Sequence, residues 1–283
     1  MLSGQELTLT TRLNQKSVNI LKSTKGALCQ WRSDRAKSRL AATPTDPALD
    51  PNDFSVSLRD PDGYYRRSFQ DFHCHIPAEL RAHRQYFSVE GRGFGEDAFH
   101  TMWWRLVRAF QPQSFLEIGV FRGQTTSLVS LLAQLERLKC EVYGISPFTP
   151  AGDAVSKYDE KPNYYEDTLL NFRHFKLPQP HLLKAYSTDQ AALELIASKP
   201  WDMIYIDGNH DYDVVLKDWE ACSQAVRRGG IIVLDDSGLS TCYKPPVFAT
   251  GGHPGPSQLA SEIDPLLFEE ILQVGHNRVY QKC

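Results

Sequence analysis

The sequence lacks the features that mark a membrane protein. None of its 283 residues falls in an uninterrupted apolar run of about 18 residues, the length that a membrane-spanning helix needs. The N-terminus has no apolar core followed by a cleavage site, so no secretory signal is predicted. Hydrophobic residues make up 41% of the chain and charged residues 23%, which is typical of a soluble globular protein. We expect a cytoplasmic protein without a membrane partner.

The sequence also lacks paired cysteines. Its six cysteines are scattered and form no C-x-x-C motif: Cys29, Cys74, Cys140, Cys222, Cys242 and Cys283. This spacing favours neither a zinc ribbon nor a disulfide framework. We therefore expect reduced thiols.

A strong net charge is missing as well. The formal charge of −3 predicts no particular partner, and we expect no nucleic-acid binding. Residues 1–48 hold eight Lys or Arg against three acids, so this part carries about +5 and the remainder about −8. A basic arm can contact an anionic surface, although a solvated terminal helix is the simpler interpretation.

The chain divides by pattern into two regions. Residues 1–85 combine loose helical spacing, a Pro-rich stretch at 41–53 and short helical signals. We predict that they form a helical and irregular extension that serves as a lid, a wall of the substrate site or an oligomer contact, for example in a homodimer. Residues 86–283 are predicted to form a single domain.

Strands and helices alternate with short connections in the second region. Apolar runs predict strands at 114–120, 140–145, 181–186, 201–207 and 231–236, with helices at 125–138, 164–175, 189–198 and 212–226 between them. This order is typical of a Rossmann-like, doubly wound, mostly parallel α/β sheet. Residues 268–282 predict an antiparallel hairpin at its edge, which completes seven strands. Ligands of such sheets bind at the carboxyl ends of the strands.

The first of these strand ends carries a glycine-containing loop. In "LEIGVFRGQTT", Glu117 ends the strand, and Gly119 and Gly123 lie in the turn into the next helix. Gly119 can adopt a positive φ, and Gly123 lets the backbone approach a ligand closely. The spacing is not that of a P-loop, and it departs from the G-x-G-x-x-G of dinucleotide-binding proteins.

Three motifs in order resemble the class I S-adenosylmethionine-dependent methyltransferases. They are Glu117-Ile118-Gly119 with Gly123, "IYIDGNHDY" at the end of the fourth strand, and "RRGGIIVLDD" in the fifth. The chain is most similar to the metal-dependent branch that contains small-molecule and sugar O-methyltransferases, and the resemblance covers residues 86–283. It implies that S-adenosylmethionine binds at the strand ends, where the expected contacts are Glu117, Gly119, Gly123, Ser146, Asp153, Ser187 and Asp207.

The same resemblance implies a crevice with three carboxylates. In class I sheets the fourth and fifth strands are neighbours, so Asp207 would lie close to Asp235 and Asp236. Three carboxylates so close repel one another unless a cation compensates them. We therefore predict a divalent cation, Mg²⁺ first, bound by these three residues. One aspartate capping a loop without metal is the alternative.

His210 follows Asp207 by three residues and has three possible roles. It could be the general base for a substrate hydroxyl, a metal ligand or a structural histidine, because its near-neutral pKa suits all three. We place His210 and Asp207 as the candidate catalytic residues.

One position departs from the family pattern. An acid usually ends the second strand and holds the ribose hydroxyls, but Ser146 occupies this position here. A hydroxyl cannot make a charged bidentate contact. Either Ser146 makes a weaker contact with the ribose or Asp153 takes over from the following loop.

The segment 238–260 is Gly- and Pro-rich and is predicted to be a substrate-recognition loop. Tyr243, Lys244 and His253 are the groups there that could meet a substrate.

These features lead to a leading hypothesis and its alternatives. The leading hypothesis is a metal-assisted O-methyltransferase that acts on a small hydroxylated molecule, such as a sugar or secondary metabolite. Alternatives are a metal-independent N- or C-methyltransferase and a non-catalytic binding protein of the same fold. A nicotinamide oxidoreductase is disfavoured by the loop spacing.

Overall fold

The computed structural model describes residues 26–44, 50–153 and 155–283. These described residues form two compact units, one of residues 26–43 with 246–248 and one of the remaining described residues from 44 to 245 with 249–283. In the first unit, residues 26–42 form helix α1. The predicted boundary between residues 85 and 86 stays a prediction, and the helices between residues 55 and 87 are part of the larger unit.

No helix within the described ranges combines the length and the apolar character needed to cross a membrane.

A seven-stranded sheet forms the centre of the larger unit, in the order β3-β2-β1-β4-β5-β7-β6. All neighbouring strands from β3 through β5 are parallel, whereas β7 is antiparallel to both β5 and β6. The strands are β1 Ser114–Ile118, β2 Glu141–Ser146, β3 His181–Lys184, β4 Trp201–Ile206, β5 Val226–Leu234, β6 Phe268–Val274 and β7 Asn277–Lys282. The predicted Rossmann-like sheet and its edge hairpin are confirmed.

Four helices connect the parallel strands close to their predicted positions: α6 Gln124–Leu135, α7 Tyr164–His174, α8 Gln190–Ala197 and α9 Tyr212–Ala225. The other helices of the larger unit are α2 Ser55–Arg59, α3 Pro61–Cys74, α4 Ala78–Phe87, α5 Asp97–Phe110 and α10 Pro254–Glu262. Local signals set their starts. In α3, Asp60 accepts a hydrogen bond from the Gly63 N–H at 2.9 Å and Pro61 occupies the first turn, as N-terminal capping favours.

Two predicted elements differ from the structure. Strand β5 begins at Val226, five residues before the predicted 231, because Gly229 and Gly230 lie within the strand and do not end the preceding helix. It ends at Leu234, before Asp235 and Asp236. The segment 238–260, predicted to be a loop, contains the start of α10, where Pro254 lies in the first turn and Leu259 and Ala260 are buried.

One apolar core lies between the sheet and helices α8, α9 and α10. Leu116 and Ile118 of β1 and Ile204 and Ile206 of β4 are buried there. Trp201 is fully buried, and its indole N–H donates to the Ile196 carbonyl at 2.7 Å. This ring therefore fixes the start of β4 against α8.

Replacing Trp201 tests this core. Trp201→Ala should lower the free energy of unfolding by about 3–5 kcal/mol, because a buried ring is replaced by a cavity. Leu266→Ala is the control, since Leu266 is 83% exposed, and should change it by less than about 0.5 kcal/mol. Urea unfolding followed by circular dichroism measures both, and equal effects would contradict this core.

Candidate functional site

A cavity opens at the carboxyl ends of β1, β2 and β4. Its lining includes five of the predicted cofactor contacts: Gly119, Ser146, Asp153, Ser187 and Asp207. The aromatic side chains that line it are Phe121, Phe148, Tyr158, Tyr164 and Tyr186. Most of the predicted cofactor residues thus meet around one space.

Gly119 permits the close approach of the turns that follow β1 and β4. Its φ is +100°, and a Cβ there would lie 1.9 Å from the Asp207 carbonyl oxygen. A side chain cannot fit in that space, so the turn requires glycine. Gly123 lies at the start of α6, also with a positive φ, and a Cβ would lie 2.6 Å from Thr168 Cγ2.

Glu117 lies beside this turn but outside the cavity lining. It is 3% exposed, it accepts a hydrogen bond from the Thr126 backbone N–H, and its Oε2 has no partner. Burial raises the pKa of this carboxyl to about 8. A buried carboxyl oxygen without a partner is unusual and indicates a place where a ligand group or water completes the bonding.

The two candidates for the ribose contact are in different situations. The Ser146 hydroxyl accepts a long hydrogen bond of 3.4 Å from the Phe148 N–H. Asp153 accepts hydrogen bonds from the N–H groups of Val155 at 2.9 Å and Ser156 at 2.7 Å. It also holds His210, at 3.0 Å from the backbone N–H and 2.6 Å from ring Nδ1.

These contacts determine the charge of Asp153. Burial acts to raise its pKa, but the N–H groups of Ser156, His210 and Val155 and the His210 ring outweigh it and lower the pKa to about 2. Asp153 is therefore an ionised carboxylate that accepts two hydrogen bonds from His210.

The second part of the site is the crevice between the ends of β4 and β5. The pairing of Ile206 with Leu234 brings Asp207 beside Asp235. The Tyr205 hydroxyl donates to Asp235 Oδ2 at 2.8 Å. Burial and the charges of Asp235, Asp236 and Glu117 raise the pKa of Asp207 well above its usual value. Burial acts to raise the pKa of Asp235 too, but His276 and Tyr205 outweigh it and lower that pKa to about 2.

His276 reaches the same crevice from the β6–β7 turn. Its Nε2 lies 3.3 Å from Asp235 Oδ1 and 3.8 Å from Asp236 Oδ1, and its Nδ1–H donates to the Thr250 carbonyl at 3.0 Å. Although burial acts to lower it, the charges of Asp235, Asp236 and Glu96 raise the pKa of His276 to about 10. The imidazolium compensates part of the negative charge.

His210 is held between two carboxylates. Its Nδ1 contacts Asp153 and its Nε2 lies 2.8 Å from Asp236 Oδ2. Burial acts to lower the pKa, but Asp236 and Asp153 raise it to about 9. At neutral pH the ring is therefore protonated in this arrangement, and acting as a base requires the loss of one of these contacts or a change in the local charge.

Two groups of three side chains within the described residues place possible metal-ligating atoms within 4.8 Å of one another. One consists of His210, Asp236 and His253, and the other of Asp235, Asp236 and His276. Asp207 belongs to neither group, so its role as a metal ligand stays a prediction. The roles of Asp235 and Asp236 as ligands are likewise predictions, and the structure places histidines beside both residues.

The other predicted substrate contacts are separated. His253 lies in the crevice, with its ring centre 4.4 Å from that of His210. Tyr243 is 7% exposed and packs against Tyr65 at a ring distance of 5.3 Å. Lys244 is exposed, and its backbone N–H donates to Asp62.

Sequence reasoning missed His276. The signal was present, because a hairpin that pairs antiparallel with β5 must place its turn at the carboxyl end of β5. The antiparallel pairing therefore requires the turn Gly275-His276-Asn277 to lie beside Asp235.

Comparisons with known proteins agree with this geometry. Residues 116–237 match the model of a family described as a methyltransferase domain. The chain is similar to an SAH-bound methyltransferase from Podospora anserina, with a TM-score of 0.52, 14% identity, and coverage of 74% of this chain and 89% of that one. It is also similar to a Staphylococcus aureus structure provisionally assigned as a caffeoyl-CoA O-methyltransferase, with a TM-score of 0.55, 14% identity, and coverage of 77% and 98%.

The resemblance to class I methyltransferases is therefore confirmed: residues 116–237 match the model of a methyltransferase domain, and the seven-stranded sheet has the fold of these similar structures. A stretch of 125 residues is 32% identical to an uncharacterised protein of Acanthamoeba polyphaga mimivirus. It covers 44% of this chain and 51% of that protein, so the chain spans about half the length of this curated relative.

The imidazolium of His276 predicts a pH dependence of stability. Because its folded pKa of about 10 lies above the unfolded value of 6.5, its contribution is fully present below pH 6.5 and is lost as the pH rises through about 10. In EDTA, the melting temperature of the wild type should therefore decrease as the pH is raised from 6.5 to about 10. The melting temperature of His276→Gln should decrease less steeply over this range, since glutamine does not titrate.

The matched control is His181→Gln, because His181 is exposed at the opposite end of the sheet, and it should keep the wild-type slope. Thermal melts by circular dichroism at each pH provide the measurement. A His276→Gln slope equal to that of the wild type would contradict the assigned ion pair.

Proposed function

We propose that this protein binds S-adenosylmethionine in the cavity at the ends of β1, β2 and β4 and transfers its methyl group to a hydroxyl of a small molecule. The observation that carries the proposal is the adjacency of that cavity to the carboxylate crevice. Asp207 lines the cavity and lies beside Asp235 of the crevice, because the preceding residues Ile206 and Leu234 pair in the sheet. A methyl donor and a hydroxyl acceptor bound on its two sides would meet at this residue.

The residues of the cavity fit the cofactor. Helix α6 begins shortly after the turn at Gly119, and the positive end of its dipole would favour the carboxylate end of a methionine group. The unpaired Glu117 oxygen suits an ammonium or hydroxyl group, and Ser146 would contact the ribose. Phe148 and Tyr158 offer apolar surface to an adenine ring. When bound, the cofactor supplies an electrophilic methyl group on a sulfonium.

The acceptor would lie in the crevice with its hydroxyl oxygen directed at the methyl group. Methyl transfer forms the oxygen–carbon bond as the sulfur–carbon bond breaks, and the hydroxyl proton passes to a group of the crevice. His210 and Asp207 are the proposed acceptors of that proton, with Asp207 alone in this role when His210 binds a metal ion. In the present arrangement the pKa of each is raised, that of His210 to about 9, so an additional positive charge nearby would favour the loss of their protons.

A divalent cation meets this need. Bound in the crevice, it would lower the pKa of nearby acids and of a coordinated hydroxyl. Mg²⁺ at Asp207, Asp235 and Asp236 is the set proposed from the sequence. The carboxylate and imidazole atoms that converge around Asp236 support a cation in the crevice.

Cofactor binding is tested by calorimetry with S-adenosylhomocysteine. We expect one binding site per chain and an affinity about fivefold lower in Ser146→Ala, because one hydrogen bond contributes about 1 kcal/mol. Ser198→Ala is the control, since the Ser198 hydroxyl is exposed and donates to the Leu195 carbonyl. Absence of binding to the wild type would contradict the proposed function, and an unchanged Ser146→Ala would contradict the ribose contact.

Methyl transfer is tested with S-adenosylmethionine that carries a labelled methyl group. Catechols and sugars should accept the label on oxygen, and amines of matched shape should remain unlabelled. Mass spectrometry identifies the labelled atom. Label on nitrogen or carbon would contradict the assignment to hydroxyl acceptors.

A further inference from the structure

We propose that His210, Asp236 and His253 form a two-histidine, one-carboxylate site for a divalent transition metal. The binding of the metal does not require the methyl donor, whereas its role in catalysis rests on the proposed function. Nothing in the sequence motifs pointed to this set, because they emphasise the aspartates at the strand ends.

The three donor atoms converge on one point. His210 Nε2 lies 2.8 Å and His253 Nε2 3.8 Å from the same oxygen, Asp236 Oδ2. All ligand atoms of the set lie within 4.8 Å of one another. Since metal–nitrogen and metal–oxygen bonds are about 2.1 Å long, side-chain adjustments of about 1 Å suffice to bring the three donors onto one ion.

Asp153 orients His210 for this role. Its carboxylate, which can only accept, receives the Nδ1–H at 2.6 Å and leaves Nε2 directed towards Asp236. Metal-ligating histidines regularly donate their second N–H to a carboxylate in this way. Asp153 also accepts a hydrogen bond from the His210 backbone N–H, which holds the backbone of His210 in position.

Two glycines bring His253 to the site. Gly252 pairs with Ser237, and a Cβ on it would lie 2.2 Å from the Asp236 carbonyl oxygen. The adjacent His253 N–H donates to that same carbonyl at 2.8 Å. A Cβ on Gly255 would lie 2.2 Å from the His210 carbonyl oxygen. The start of α10 therefore packs directly on the backbones of both other ligands.

The set leaves space for a substrate. The His253 side chain is 31% exposed, whereas those of His210 and Asp236 are 11% and 13% exposed. Gly208 and Asn209, which precede His210, line the cofactor cavity. A metal here would be open on one side and close to the methyl donor, as a site that binds the acceptor oxygen requires.

The competing group is less suitable for an acceptor. His276 is 8% exposed and packs edge-on against Phe99 at 4.8 Å, so the set of Asp235, Asp236 and His276 is closed on that side. His276 already pairs with Asp235. We therefore assign it to charge compensation.

The ligand types predict which metal binds. Three carboxylates suit Mg²⁺, which prefers oxygen, whereas imidazole favours Co²⁺, Zn²⁺, Fe²⁺ or Mn²⁺. The experiment titrates the tag-free, chelator-treated full chain with CoCl₂ or MgCl₂, using calorimetry and the visible absorption of Co²⁺. We expect one Co²⁺ per chain, bound at least tenfold more tightly than Mg²⁺.

Variants assign the ligands. His253→Ala should weaken Co²⁺ binding at least tenfold and alter its spectrum, and Asp153→Asn should weaken it tenfold to a hundredfold. Asp207→Asn should lose less affinity than His253→Ala. His181→Ala is the control and should bind as the wild type. Thermal melts verify folding, and His253→Gln replaces the alanine variant if that one does not fold.

Tighter binding of Mg²⁺ than of Co²⁺, or unchanged Co²⁺ affinity in folded His253 variants, would overturn the proposal. S-adenosylhomocysteine binding, measured on the same samples, separates the two claims. A chain that binds Co²⁺ as expected but no cofactor contradicts the proposed function and supports the metal site.

Discussion

The concentration of negative charge at the ends of β4 and β5 is the constraint on which the rest of the site depends. Parallel pairing places Asp207 beside Asp235, and Asp236 follows at a positive φ of 51°. These carboxyl groups cannot all remain ionised so close together without positive partners. Two features reduce this repulsion: the pKa of Asp207 is raised, and histidines from three separate parts of the chain lie beside the carboxylates.

Each of those histidines is placed by a different element. His210 follows β4, His253 precedes α10, and His276 occupies the β6–β7 turn. The crevice therefore forms only when distant parts of the chain come together. Their backbones approach closely around it, at Gly119, Gly252 and Gly255.

The sheet could be predicted from the sequence because its strands are continuous apolar runs between short helices. The Glu117 loop and the aspartates at the strand ends followed from the same pattern, since parallel strands place their ends together. Asp235 and Asp236 could both turn into the crevice because β5 ends at Leu234, which alternation along a strand could not reveal.

The partners of these residues could not be predicted. Asp153 appeared free to hold a ribose, but its loop folds back onto His210, a contact between residues 57 positions apart. The segment 238–260 appeared to be an irregular loop because its glycines and prolines hide the start of α10. Two of those glycines, Gly252 and Gly255, are required because the backbones of Asp236 and His210 leave no space for a Cβ there. Such contacts depend on tertiary approach and leave no periodic signal.

The proposed reaction requires that methyl donor and acceptor meet where the cavity joins the crevice. A crystal structure with S-adenosylhomocysteine and Co²⁺, with data collected at the cobalt absorption edge, is the decisive experiment. We expect the sulfur over the Gly119 turn, facing an anomalous peak bound by His210, Asp236 and His253. A cofactor bound elsewhere, or a sulfur directed away from the crevice, would contradict it.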